Sequence, residues 1–145
     1  MLVYLDNCCY NRPYDEQCNL IIRLKTEAKL YIQDMIKNEQ ISLVWSGMLD
    51  YENNDNPFWE RKMRIAEWED IADVVIELDE NILNNAQKYM LVGLKNKDAI
   101  HIACAVQSKA DYFITTDNKI LNKQINDIKV INPVDFVRKE LNYYD

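Results

Sequence analysis

The sequence predicts an α/β fold, a three-layer α/β/α sandwich around a parallel sheet of about five strands. Three observations carry this. Short apolar, β-rich runs alternate with helical patterns along the whole chain, and strands joined by helical crossovers pair in parallel. The runs are almost continuously apolar, as strands buried on both faces are. The length of 145 residues suits one core rather than two, so residues 1–145 are expected to form a single domain.

The elements follow in order. Leu2, Val3, Tyr4 and Leu5 form a short apolar strand that stops at Asp6 and Asn7, read as a turn. Asn11, Arg12 and Pro13 read as a helix entrance, with Asp15 and Glu16 favouring its positive end. Leu20, Ile21, Leu24, Ala28, Tyr31, Ile32 and Met35 then recur at helical spacing as one apolar face, ending near residues 37–40. Residues 41–45 are the second strand. Ser46 caps a short helix carrying Tyr51 and Glu52, which breaks over residues 53–57. Pro57 opens a charged helix with Met63, Ile65, Ala66 and Ile71 inward. Residues 74–78 are the third strand, and Asp79 begins a helix to about Leu91 with Ile82, Leu83, Ala86, Tyr89 and Met90 inward. Asn96 or Asp98 heads the next helix, with Ala99, Ile102, Ala103, Val106 and Ala110 on a narrow face of small residues. Residues 112–115 and 129–131 are strands four and five, and Pro133 starts a terminal helix.

Composition removes several function classes. Two glycines exclude a P-loop or a G-x-G-x-x-G fingerprint. A net charge of −7 opposes bulk attraction to nucleic acid but leaves room for a metal-dependent site. One histidine rules out a two-histidine zinc site or a facial triad within the chain. Cys8, Cys9, Cys18 and Cys104 contain no C-x-x-C pair, and the amino terminus has no signal-peptide pattern. The expectation is four reduced thiols in a cytoplasmic protein. No apolar run approaches membrane-spanning length, so no membrane partner is expected.

Ligands of open parallel sheets bind outside the carboxyl ends of the strands. Asp6 follows strand one, Asp117 follows strand four, and Glu52 lies in the helix after strand two. Asp98 starts the helix leading into strand four. Carboxylates converging from these four segments call for hard divalent cations with oxygen ligands, Mg²⁺ or Mn²⁺. Plainer roles stand beside this one. Asp6 and Asp117 also suit Asx turns, Asp98 a helix amino terminus, and Asp50 competes with Glu52. His101, one turn beyond Asp98, reads as a packed or hydrogen-bonded histidine rather than a general base. Arg12, Lys95, Lys97, Lys119 and Lys123 fall near the same rim, where they could touch phosphates, but each is more often an ordinary solvated cation and none is assigned a binding role.

The stretches Leu5-Asp6-Asn7-Cys8-Cys9-Tyr10-Asn11-Arg12-Pro13, Ser46-x-x-Leu49-x-Tyr51-Glu52, Lys97-Asp98-Ala99-Ile100-His101-Ile102-Ala103 and Tyr112-Phe113-Ile114-Thr115-Thr116-Asp117, taken in order, resemble a PIN-domain protein. The resemblance implies strand order 3-2-1-4-5. It further implies a nuclease using one or two Mg²⁺ or Mn²⁺ ions, acting usually on RNA and often as the toxin of a toxin–antitoxin pair. Asp6, Glu52, Asp98 and Asp117 match the acidic quartet, as catalytic residues and metal ligands. Thr115 matches a supporting hydroxyl that orients the cluster; Asn7, a second supporting residue directly after Asp6, departs from the small hydroxyl pair that many toxin-type members carry there. The implied partners are an RNA substrate, a small antitoxin protein and a second copy of the chain.

Four other readings compete. A haloacid-dehalogenase-type phosphatase needs a second Asp two positions after the first, where this chain has Cys8. A receiver domain needs an acidic pair that is not evident here. A non-catalytic module on the same fold, or a nuclease acting on DNA or on structured RNA in processing, is separated by metal binding and substrate choice.

Overall fold

The computed structural model describes residues 1–11 and 19–141. Five strands, β1 (Leu2–Leu5), β2 (Ser42–Ser46), β3 (Val74–Ile76), β4 (Tyr112–Ile114) and β5 (Lys129–Ile131), form one sheet in the order β3-β2-β1-β4-β5. All four pairings are parallel; Tyr4 aligns with Val44 on one side and Phe113 on the other. Successive strand residues point to opposite faces, and Val3, Tyr4 and Leu5 are all fully buried. Both faces of the central strand are therefore covered, as the three-layer reading requires. The sheet has the PIN-like topology.

Helices fill the connections: α1 (Asn7–Asn11), α2 (Leu20–Lys37), α3 (Gly47–Asn54), α4 (Trp59–Ala66), α5 (Trp68–Ile71), α6 (Glu80–Leu91), α7 (Asn96–Gln107), α8 (Asn118–Leu121) and α9 (Pro133–Phe136), the last continuing as a wide-turn helical segment, Val137–Leu141. Ser46 and Asp79 cap α3 and α6 through their side-chain oxygens, which accept from Leu49 N at 3.2 Å and Ile82 N at 2.8 Å. α7 is buried nearly all round from Ala99 to Ala105, packed against α6 as well as against β2 and β4 of the sheet.

Several expectations are corrected. The chain after β1 is the helix α1 rather than a turn. The expected entrance at Arg12 and Pro13, with Asp15, Glu16 and Cys18, lies outside the described residues. α2 instead begins after Asn19, whose Oδ1 accepts from Ile21 N at 2.8 Å. Its inward face also differs. Leu20, Ile21, Leu24 and Tyr31 are exposed, while Thr26, Lys29, Ile32, Gln33 and Ile36 are buried. The helix carries two apolar stripes, and packing against α9 selects the one through Ile32 and Ile36. Lys29 is carried inside with it, its ammonium 5.7 Å from the centroid of the Tyr10 ring. Pro57 precedes α4 by two residues, and of the expected stripe Met63, Ile65, Ala66 and Ile71 only Ile65 is buried, joined by Trp68. Leu83 and Met90 of α6 face outward. Cys8, Cys9 and Cys104 are free thiols. Among the described residues no helix is long and apolar enough to cross a membrane.

Candidate functional site

Asp6 leaves the carboxyl end of β1, the central strand, and Ser46 ends β2 and starts α3. Parallel order puts these ends, and the end of β4, on one rim. The connection from β1 runs to β2 on one side while β4 lies on the other, so the rim beside β1 is the switch point where such sheets bind ligands.

Asp6 is 5% exposed and its carboxylate is held on both oxygens. Oδ1 accepts from Asn7 N at 2.8 Å, and Oδ2 accepts from the Thr115 hydroxyl at 2.7 Å. Thr115 in turn accepts from Asp117 N at 3.0 Å, which ties β1 to the end of β4. Cys8 Sγ lies 3.5 Å from Asp6 Oδ2.

Glu52, on α3, is hydrogen-bonded to Nε2 of His101 on α7. That nitrogen is also 3.9 Å from Asp6 Oδ1. A carboxylate only accepts, so Nε2 carries the proton and donates to Glu52. The other nitrogen, Nδ1, is 2.6 Å from the Tyr4 hydroxyl, which is 2.6 Å from Ser46 Oγ. His101, Tyr4 and Ser46 are all fully buried. The site is thus backed by a polar chain that links α7, β1 and the cap of α3. Burial alone would push the imidazole down, but the hydrogen bond to Glu52 and the charges of Asp6, Glu52 and Asp98 hold it above its usual value.

Asp6, Glu52 and His101 each bring one ligand atom to within 4.8 Å of the others. The carboxylates of Asp6 and Glu52 supply oxygen donors that fit a divalent cation of the Mg²⁺ or Mn²⁺ class, while the protonated Nε2 of His101 orients Glu52 rather than offering a lone pair. Asp98 and Asp117 are outside this tight group. Asp98, half-buried in the first turn of α7, has its carboxyl pushed up by burial and by the charges of Asp6 and Asp117, with Glu52 adding and His101 opposing. Asp117 is half-buried, and its Oδ1 accepts from Lys119 N at 2.8 Å as the cap of α8. Asn7 lies against Asp6 through its backbone, and its side-chain oxygen is buried without a partner among the described residues. His101 is a member of the site that sequence reasoning left as structural. Its signal was its place three residues after Asp98, which puts both on one helix face.

No family model matches the sequence, and no curated protein matches it. Among solved structures, the crystal structure of VapBC2 from Rickettsia felis bound to a DNA fragment from their promoter contains a chain of similar fold. The match has a TM-score of 0.56 and covers 91% of this chain and 98% of that chain, at 12% sequence identity. The likeness is one of fold.

Proposed function

We propose that the protein is a nuclease of the PIN type that uses one or two Mg²⁺ or Mn²⁺ ions to hydrolyse phosphodiester bonds in RNA. We further propose that it acts in the cytoplasm as the toxin of a toxin–antitoxin pair. The observation that carries the enzymatic reading is the meeting of Asp6, Glu52 and His101 at the carboxyl-end rim of a parallel sheet. Asp98 and Asp117, within electrostatic reach of that group, complete the acidic quartet. Asp6, fixed by Thr115 and Asn7, would be the central ligand; Glu52, turned by His101, the second. A divalent ion held there would acidify a water for attack on phosphorus and steady the leaving oxygen. The protein's own part is to hold the carboxylates where cation and phosphate meet. The likeness to a chain of VapBC2 supports the toxin role and, with it, a small antitoxin as partner.

Purified protein should cleave single-stranded RNA with Mn²⁺ or Mg²⁺ and stop when chelator is added. Asp6→Asn and Asp98→Asn should each lower the rate by at least about a hundredfold while the circular-dichroism spectrum is unchanged. Cleavage that persists in chelator, or full activity in both variants, sinks the mechanism. Growth arrest on expression, relieved by the product of an adjacent small gene, tests the toxin role.

A further inference from the structure

A cavity of about 280 Å³ opens beside the acidic centre, between α1, α3 and the segment entering α4. Glu52 forms one wall, and Asn7, Asn53, Phe58 and Arg61 are among the others. The Arg61 guanidinium lies over the Phe58 ring, 4.1 Å from its centroid. Phe58 is nonetheless 54% exposed, and the adjoining Trp59 is 68% exposed. Asn53 is the reverse, only 4% exposed. Its amide nitrogen donates to the Lys62 carbonyl at 2.9 Å, which settles which end of the amide is oxygen. That oxygen, Oδ1, has no partner among the described residues. A buried acceptor without a donor is costly.

The cavity therefore pairs an aromatic–guanidinium stack with an unfilled acceptor, next to a candidate catalytic carboxylate. Flat π-faces with N–H groups on their edges suit both features, and single-stranded nucleic acids are bound by stacking bases on aromatic rings and guanidinium planes. A second pair borders the same centre: Lys97 Nζ is 5.6 Å from the centroid of Tyr51. These residues directly precede Asp98 and Glu52.

We propose that this cavity is a nucleobase subsite. One base of a single strand stacks on the Phe58–Arg61 pair and gives an N–H to Asn53 Oδ1, which brings its neighbouring phosphate to the Glu52 wall. The delivery of that phosphate to a hydrolytic centre rests on the nuclease reading; the base contacts do not.

The test is fluorescence anisotropy with labelled oligoadenylate octamers, titrated in Mn²⁺ with full-length protein carrying Asp98→Asn. Adding Phe58→Ala should weaken binding about tenfold and leave the thermal midpoint in place, since the side chain is exposed. An abasic ribose-phosphate octamer should bind both proteins equally. Equal binding of oligoadenylate by both proteins overturns the subsite, and so does equal weakening for the abasic strand, which would mark a purely electrostatic effect. Oligomers of N6,N6-dimethyladenine, which lack the edge N–H, should bind several-fold more weakly than oligoadenylate, and equal affinity removes Asn53 from the contact. Running RNA and DNA octamers side by side identifies the polymer, because a stack alone serves both. Phe58-dependent, base-dependent binding in a wild-type protein that never cleaves would keep the subsite and discard the nuclease. Metal-dependent cleavage with base-independent binding would do the opposite.

Discussion

Asp98 shows most directly what the convergence of acids costs. Its carboxyl is pushed up by burial and by the charges of Asp6 and Asp117, so the folded state holds a proton there more tightly than the unfolded chain does. A carboxyl raised in this way penalises folding above its folded pKa, and the penalty fades as pH falls toward the unfolded value near about 4. Asp98→Asn should therefore melt higher than wild type in chelator at neutral pH, with a gap that narrows on acidification. Thermal melts across that pH range check it; a variant that melts lower than wild type at neutral pH would make Asp98 a helix-start residue and nothing more. The sign is the same at His101. Its raised pKa means that the stability it contributes is present below the unfolded value and lost as pH rises through the folded one. The two residues lie one helical turn apart, and acid favours the folded state at both, by removing a penalty at Asp98 and by adding a charged partner for Glu52 at His101.

At the scale of elements, the ends of α2 and α7 share one device. Gln40 N reaches Met35 O at 2.9 Å and Ala110 N reaches Ala105 O at 3.1 Å, with Glu39 and Lys109 between helix and exit at φ of 61° and 62°. This is the double-bonded helix stop that glycine usually serves, here built with ordinary residues. Left-handed backbone costs roughly 1–2 kcal/mol for a residue with a Cβ, and glycine returns roughly 0.5–1 kcal/mol of that as unfolded-state entropy. Lys109→Gly, at an exposed side chain, should then gain up to about 1 kcal/mol, a rise of about 2–4 °C in Tm. A fall in Tm would show that Lys109 contributes contacts outweighing its backbone strain. The same helices mark how far patterning reaches. Helix existence in α2 was legible from its apolar spacing, but its inward face was not, because Leu20, Leu24 and Tyr31 are as periodic as Ile32 and Ile36.

For the whole molecule the decisive quantity is linkage to a cation. The chain carries a net charge of −7, and four of its acids are the candidate quartet around one rim. An ion that binds only the folded state stabilises it by about 2.7 kcal/mol at a hundred times its Kd, which for this size is a Tm rise of about 5–10 °C. Wild type should show such a rise with Mn²⁺, and Asp6→Asn should lose most of it. A melt indifferent to Mn²⁺ would mark the fold as a silent interaction module. This readout needs no substrate, so it separates a failed metal site from a wrong choice of RNA.

Strand positions, the Ser46 and Asp79 caps and the alternation of strand with helix were legible because they are local: period, cap chemistry and chain length decide them. The acids at strand ends were legible for the same reason, since an apolar run that halts at Asp6 marks a rim. Which groups meet there was decided only by packing. Parallel pairing brings Tyr4 and Ser46 side by side, and α7 sets His101 between Glu52 and Tyr4. Nothing in the spacing of residues 4, 46, 52 and 101 announces that chain. It exists because a buried imidazole must have both nitrogens satisfied, and only the three-dimensional neighbourhood supplies a carboxylate on one side and a hydroxyl on the other.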